Sequence, residues 1–251
     1  MSSPWRRPGV TGAIVYALAA SVFGSMVTIF SRLQVERQRG RRRVATALPA
    51  GPIIVVSNHT SYADGVLLAL VCRRLGRTLR LLATSGVFRA PVIGSIVRRL
   101  GFIRVERGSV TANAALAHAA DALAAGEAIG IFPEGRLTRD PDKWPEQGRT
   151  GAVRLALATG APIVPIAMVG AHRLLGRRRF VSTMIRNVIM RPRVETRVGA
   201  PIDVLTLFPG GDTADPVAVR RATDALMERL IDLVEDVRDE LAPHPSGVPV
   251  A

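Results

Sequence analysis

The chain has 251 residues, of which 48% are hydrophobic and 4% aromatic, and 34 basic against 20 acidic residues give a formal charge of +14. This length allows one sizeable domain, or a domain with an appended segment. The scarcity of aromatic residues argues against a nucleic-acid surface, which interleaves them with basic residues, and the one cysteine, Cys72, excludes an intramolecular disulfide.

The first predicted element is an apolar helix near the N-terminus. Residues 8–31 carry no charge over 24 positions, which is long enough to span a bilayer. Small or weakly polar residues at helical spacing form one stripe on it: Ser21, Gly24, Ser25 and Thr28. The stripe fits a spanning helix that packs on another helix, and it equally fits a helix that lies in the lipid interface.

An arginine-rich stretch follows this helix. Residues 1–43 hold eight arginines and one acid, Glu36. This segment therefore carries about half of the net charge of the chain. Such a flank argues against an exported signal peptide and keeps the following domain on the cytoplasmic side. We therefore predict a membrane-associating segment at 1–43, an anionic bilayer surface as its partner, and a location at the cell membrane with the catalytic domain on the cytoplasmic face.

Residues 44–242 are predicted to form one α/β domain. The first predicted strand, 52–57, is a buried one. The other predicted strands are 79–84, 101–107, 128–133 and 162–170, and the helices between the strands are 64–75, 90–100, 112–126 and 151–160. This alternation indicates a mostly parallel mixed sheet with helices on both faces. Residues 188–198 are predicted as a late strand or hairpin edge, 216–241 as a long amphipathic helix, and 243–251 as a frayed tail.

Polar clusters follow three of the predicted strands. They are "SNHTSYAD" at 57–64, "ERGS" at 106–109 and "PEGRLTRD" at 133–140. Ligands of such sheets bind beyond the carboxyl ends of the strands, so we expect a site where these clusters meet.

His59 and Asp64 are the candidate reactive pair of the first cluster. On a continuous helix their side chains would diverge by roughly 140°, so they meet only if His59 lies in the turn and Asp64 in the first helical turn. One alternative is structural, because Ser61 and Asp64 have the spacing of a helix capping box. The other is a histidine base oriented by a carboxylate. The chain has no G-x-S-x-G nucleophile elbow, and its four histidines do not have zinc-site spacing.

Four blocks in order resemble the glycerolipid acyltransferases, the family of the 1-acylglycerol-3-phosphate acyltransferases. "NHTSYAD" has the N-H-x-x-x-x-D form, and "GFIRVER", "FPEG" and "RTGAVRLALATGAPIVPI" resemble the second, third and fourth blocks. In the last of these, Arg149, Gly151, Pro162 and Pro165 occupy the matching places. The resemblance covers roughly residues 50–200 and implies a glycerol-3-phosphate acyltransferase-like fold.

The resemblance implies acyl transfer from acyl-CoA or acyl carrier protein to a lysophospholipid hydroxyl, without an acyl-enzyme, a metal or a bound cofactor. His59 would be the general base and Asp64 its orienting partner. The residues expected to bind the acceptor are Arg107, Glu134, Gly135, Arg136, Arg139 and Arg149. Structural alternatives remain for three of them: an ion pair with Glu106 for Arg107, acceptance of backbone N–H groups for Glu134, and a helix-terminal surface position for Arg149.

The third block departs from the family pattern. The usual Glu-Gly-Thr-Arg is replaced by Glu134-Gly135-Arg136-Leu137, so the positive charge has moved to Arg136 or Arg139. The leading expectation is that lysophosphatidic acid is the acceptor and phosphatidic acid the product. The alternatives are another lysophospholipid or glycolipid acceptor, a non-catalytic membrane lipid-binding protein, and a thioester hydrolase.

Overall fold

A computed structural model of the chain describes residues 5–35, 47–106, 111–174, 180–208 and 213–241. The helices are α1 (Val10–Phe30), α2 (Asp64–Arg74), α3 (Ser85–Arg89), α4 (Ile93–Arg99), α5 (Thr111–Ala124), α6 (Gly151–Thr159), α7 (Phe180–Met190) and α8 (Pro216–Leu241). The strands are β1 (Arg32–Val35), β2 (Ile53–Ser57), β3 (Leu79–Thr84), β4 (Ile103–Val105), β5 (Ala128–Ile131), β6 (Ile163–Val169) and β7 (Arg193–Val198). The predicted boundary at 43/44, Arg107 and the tail at 243–251 lie outside the described residues.

Within the described ranges, the strands form one sheet in the order β1-β7-β6-β2-β5-β3-β4. Strands β6 and β7 are antiparallel, and the other neighbours are parallel. Successive side chains of a strand point to opposite faces, and the buried β2 shows this clearly. Ile54 and Val56 pack with α5, α6 and α8, whereas Ile53 and Val55 pack with α2. The predicted mostly parallel α/β sheet with helices on both faces is confirmed.

The late strand predicted within residues 188–198 is present as β7, but it is shorter than predicted and does not lie at the edge of the sheet. Residues 188–190 form the last turn of α7, so the strand begins only at Arg193, after Pro192. The strand is also not at the edge of the sheet, because β1 pairs with its outer side. The sequence analysis missed α7, β1 and the short α3, whereas α8 has the predicted bounds.

Helix α1 lies along the domain, which holds it at both ends. Before the helix, the indole Nε1 of Trp5 donates to the carbonyl oxygen of Gly101 at 3.1 Å, and the guanidinium Nε of Arg7 is 2.7 Å from Glu127 Oε1. After it, the chain enters β1 and joins the sheet. Between these points α1 packs against α2, α4 and α7.

The two sides of α1 face different surroundings. Gly12 and Tyr16 are buried against the domain. The large residues of the outer side are exposed: Val10, Ile14, Leu18, Val22, Met26 and Ile29. Among the described residues, α1 is the helix long and apolar enough to cross a membrane, with a mean hydropathy of 2.0 over its most apolar window.

Gly170 is a position where the fold requires glycine, because it has φ +94° and an added Cβ would overlap the carbonyl oxygen of Arg193. Gly160 has φ +67° with no heavy atom within 4 Å of an added Cβ, so it is the matched control. We expect Gly170→Ala to lower the free energy of unfolding by about 1–3 kcal/mol more than Gly160→Ala. Urea unfolding of both variants measures the difference, and equal losses would contradict this packing.

Candidate active site

The turn from β2 to α2 carries the candidate pair and is anchored to the neighbouring strand β6. The side chain of Asn58 is buried and pairs with the backbone of Met168. Its amide Nδ2 donates to the carbonyl oxygen at 2.8 Å, and its Oδ1 accepts the backbone N–H at 2.8 Å. These two bonds extend the ladder between β2 and β6 by one residue and thereby fix where the turn begins.

His59 and Asp64 meet as the sequence analysis required, with the histidine in the turn and the carboxylate on the first residue of α2. His59 Nδ1 lies 3.0 Å from Asp64 Oδ2. The same oxygen accepts the backbone N–H groups of Thr60 at 2.6 Å and Ser61 at 2.7 Å. Asp64 thus has both sets of contacts that the two alternatives require, to the backbone at the start of α2 and to the imidazole of His59.

Asp64 is fully buried, and this burial raises the pKa of its carboxyl group. The hydrogen bonds from the His59 ring and from the two backbone N–H groups oppose that rise. A carboxylate at this position orients the ring by accepting a hydrogen bond from Nδ1–H. The other ring nitrogen, Nε2, then has no protein partner among the described residues.

Glu134 joins the loop after β5 to this turn. Its Oε1 accepts the backbone N–H of His59 at 2.9 Å, and its Oε2 accepts that of Glu146 at 3.1 Å. The loop also donates to the turn, from Thr138 N to the carbonyl oxygen of His59 at 2.7 Å. Glu134 is 4% exposed, and burial raises the pKa of its carboxyl group to about 7. The geometry thus gives Glu134 the backbone-anchoring role.

The ring of Phe132 packs against the imidazole of His59. The two rings stack with centroids 4.2 Å apart and an angle of 17° between the planes. The sequence analysis quoted Phe132 within the third block but assigned it no role. No local pattern would have indicated this contact, because it depends on how the ends of β2 and β5 meet.

His59 lies in the wall of a cavity of about 960 Å³. The apolar part of the wall comes from α1, α2, β3, α4 and their surroundings, and includes Tyr16, Phe23, Leu70, Leu81, Val87, Ile93, Ile96, Val97 and Leu100. The cationic part consists of Arg136, Arg139, Arg149 and Arg154. The contributions of α1 and of Arg154 were not predicted. One cavity therefore contains a histidine, a long apolar wall and a group of arginines.

The arginines of the cavity differ in their partners. Arg136 is paired with Glu146, with Nη2 and Oε1 3.2 Å apart. Arg149 lies over Gly135, where an added Cβ would be 2.8 Å from its Nε. Within the described ranges, the guanidinium groups of Arg139 and Arg149 donate to no protein acceptor. Leu137, at the position where the family pattern has arginine, is buried.

The described residues contain no group of three or more His, Cys, Asp or Glu side chains arranged to hold a metal ion. Arg107, expected from the second block to bind the acceptor, lies outside the described residues. Of the other candidate residues, the structure brings His59, Gly135, Arg136, Arg139 and Arg149 to one cavity. Asp64 and Glu134 are buried behind it, Asp64 against the imidazole of His59 and Glu134 bonded to the backbone N–H of His59.

Comparisons with known proteins agree with this arrangement. A family model described as acyltransferase matches residues 32–169. The chain is 29% identical over 125 residues to the 1-acyl-sn-glycerol-3-phosphate acyltransferase BAT2, chloroplastic, of Brassica napus. The aligned residues make up 49% of this chain and 35% of that protein. The chain is 29% identical over 126 residues to the lyso-ornithine lipid O-acyltransferase of Pseudomonas aeruginosa, which is 50% of this chain and 46% of that protein.

The chain thus spans less than half of the length of these curated relatives. Among solved structures, the 1-acyl-sn-glycerophosphate (LPA) acyltransferase from Thermotoga maritima matches with a TM-score of 0.63 and 19% identity. The match covers 94% of this chain and 83% of that one, and it shows a shared fold.

The raised pKa of Glu134 predicts a pH-dependent stability. Between its ordinary value of 4.5 and about 7, the folded chain retains a proton that the unfolded chain releases. The contribution of this group to stability therefore falls as pH rises through that interval. Glu134→Gln removes this titration. The free energy of unfolding of the variant should therefore fall less than that of the parent chain as pH rises across the interval, and the difference between the two declines should be of the order of 2 kcal/mol.

Urea unfolding of the parent chain and of Glu134→Gln at several pH values measures the two slopes. Glu228→Gln, which changes an exposed glutamate of α8, is the matched control and should retain the slope of the parent chain. Parallel slopes for the parent and Glu134→Gln would show that the proton is bound elsewhere.

Proposed function

The chain belongs to the acyltransferase family, and on that premise we propose that it transfers an acyl group from an acyl thioester to the free hydroxyl of 1-acylglycerol-3-phosphate. The observation that carries the proposal is the cavity in which His59, a long apolar wall and the arginines lie together. Its volume of about 960 Å³ is at the upper end of the range of small-molecule sites. An acyl chain and an anionic headgroup are the two chemistries that such walls bind.

In the proposed reaction His59 acts as general base. With Nδ1 donating to Asp64, Nε2 takes the proton of the acceptor hydroxyl while its oxygen attacks the thioester carbonyl. The new C–O ester bond forms, the C–S bond breaks, and the proton on Nε2 passes to the departing thiolate. No acyl-enzyme is required. Asp64 is a positioning residue, since it fixes the tautomer of the imidazole, and Glu134 positions the backbone of His59.

The acceptor phosphate is assigned to Arg139 and Arg149, two cavity arginines whose guanidinium groups donate to no acceptor among the described residues. Arg139 and Arg149 present guanidinium forks, which match two phosphate oxygens at once. Arg136 is less suited, because two of its donor nitrogens, Nε and Nη2, already bond to Glu146. This assignment places the acceptor next to Gly135, where the absence of a side chain lets Arg149 approach the loop.

The membrane is the proposed source of the lipid substrate. The inner side of α1 contributes Tyr16 and Phe23 to the cavity wall, while its outer side is apolar and exposed. Because both ends of α1 are bound to the domain, we infer that it lies in the interface of the bilayer rather than crossing it. The arginine-rich flank favours the cytoplasmic face and an anionic surface. The acyl donor is proposed as the thioester of CoA or of acyl carrier protein.

A second candidate is acyl transfer to a lysolipid with another headgroup. It is favoured by Leu137, which is buried at a position where the family pattern has a phosphate-binding arginine. The similarity to an enzyme named for lyso-ornithine lipid supports the same alternative. Parallel assays with lysophosphatidate and lyso-ornithine lipid decide between the two, and the better acceptor is the one with the higher kcat/KM.

His59→Ala should reduce acceptor-dependent release of thiol from palmitoyl-CoA by about 10²- to 10⁴-fold, because the acceptor hydroxyl loses its base. The measurement follows thiol release by the purified protein in detergent, with and without lysophosphatidate. His172→Ala is the matched control, since His172 lies outside the cavity wall. Unchanged turnover in His59→Ala would refute the mechanism, and release that needs no acceptor would indicate a hydrolase.

Arg149→Ala should raise the KM for lysophosphatidate by about 10- to 100-fold, because a charge-assisted contact to phosphate is lost. The KM for palmitoyl-CoA should change little. Arg136→Ala is the matched control in the same cavity and should have the smaller effect, since Arg136 is paired with Glu146. Initial-rate kinetics with each substrate varied in turn give these constants. A larger effect of Arg136→Ala on this KM would contradict the assignment and would identify Arg136 as the phosphate-binding residue.

A further inference from the structure

Helix α7 exposes apolar side chains that the proposed reaction does not use. Ile185 is 65% exposed and Ile189 is 81% exposed. Between them in sequence, Asn187 is buried and its Nδ2 donates to the carbonyl oxygen of Arg173 at 3.0 Å. Positions two residues before and after a given residue lie roughly 160–200° around a helix from it. Ile185 and Ile189 therefore point away from the domain, and Met190 is exposed next to them.

Helix α7 lies next to α1. The two helices lead into neighbouring strands, α1 into β1 and α7 into β7, and these strands pair in parallel with Arg32 opposite Arg193. The helices are in contact, and Arg191 Nη2 donates to the carbonyl oxygen of Thr28 near the end of α1 at 2.6 Å. Both helices thus lie side by side and end at the same edge of the sheet.

We propose that α7 is a second membrane-contacting element, and that its outer side and the outer side of α1 form one lipid-binding surface. The side chains that would enter the bilayer are aliphatic on both helices. Exposed arginines accompany them: Arg32, Arg186 and Arg193. Their charge is complementary to anionic lipid headgroups. The proposal is independent of the reaction, because it uses none of the residues of the cavity.

The alternative occupant of this surface is a second copy of the chain. An isologous dimer across it would bring the same arginine-bordered surface of each protomer against the other, so positive charges would face positive charges. A bilayer with anionic headgroups does not place positive charges opposite these arginines, so this repulsion does not arise. A second helix in the bilayer also has a mechanical consequence. One interfacial helix allows the domain to roll about the helix axis, whereas two helices fix the orientation of the domain.

The single cysteine allows a direct test. Cys72 is fully buried and burial raises the pKa of its thiol to about 12, so a cysteine introduced at the surface is labelled selectively. We would attach an environment-sensitive fluorophore to Ile189→Cys and add vesicles of phosphatidylcholine with phosphatidylglycerol. The expected result is a rise in emission that lipids with a spin label in the acyl chain quench. Val217→Cys, 59% exposed on α8 across the sheet, is the matched control and should show neither.

A second measurement gives the strength of the contact. Ile185→Glu/Ile189→Glu should lower the vesicle partition coefficient at least about tenfold, with an unchanged circular dichroism spectrum and melting temperature. Leu205→Glu/Val217→Glu, which adds the same charge to exposed apolar positions elsewhere, should stay within about twofold of the parent chain. Quenching at Met26→Cys without quenching at Ile189→Cys would overturn the proposal. So would a double variant that dissociates a dimer in ultracentrifugation while vesicle binding is unchanged.

Discussion

The turn between β2 and α2 is held by hydrogen bonds from three directions, and the geometry of the site depends on it. Asn58 ties the turn to β6, Asp64 accepts from the His59 ring and from two backbone N–H groups, and Glu134 accepts from the backbone of His59. Both carboxyl groups are buried, so the charged form of each is stabilised mainly by the bonds it accepts. A change in the turn would therefore disturb the histidine and the carboxyl groups together.

The sequence predicted those elements whose pattern is local and complete. Strand β2 is a continuous apolar run, as expected for a strand buried on both faces, and α8 has a long apolar stripe. Helices α5 and α6 are followed by Gly126 and Gly160 with positive φ, which explains why their ends were predictable. Strand β1 was missed because it has four residues at an edge, and α7 because its described end, Val188-Ile189-Met190, is apolar and partly β-branched like a strand.

For the site, the motif spacing predicted which segments meet, but not how each side chain is used. The pairing of His59 with Asp64 follows from the local chain, since only five positions separate them. The anchoring role of Glu134 depends on a partner 75 positions away, and the contact of Phe132 with His59 on the packing of β2 beside β5. From the motif, the sequence analysis inferred only that the positive charge expected at the position of Leu137 lies at a neighbouring arginine instead. The burial of Leu137 shows that the loop turns this residue toward the interior.

Hydropathy alone does not distinguish a spanning helix from an interfacial helix, and α1 illustrates the reason. A spanning helix is apolar all round because lipid surrounds it. Here α1 is apolar all round for two different reasons. Its inner side packs on the domain and lines the cavity, and its outer side is exposed. To leave the domain and cross a bilayer it would have to give up the Arg7–Glu127 ion pair at one end or the pairing of β1 with β7 at the other. Either loss would expose polar groups that the folded chain satisfies, and it would remove one wall of the cavity.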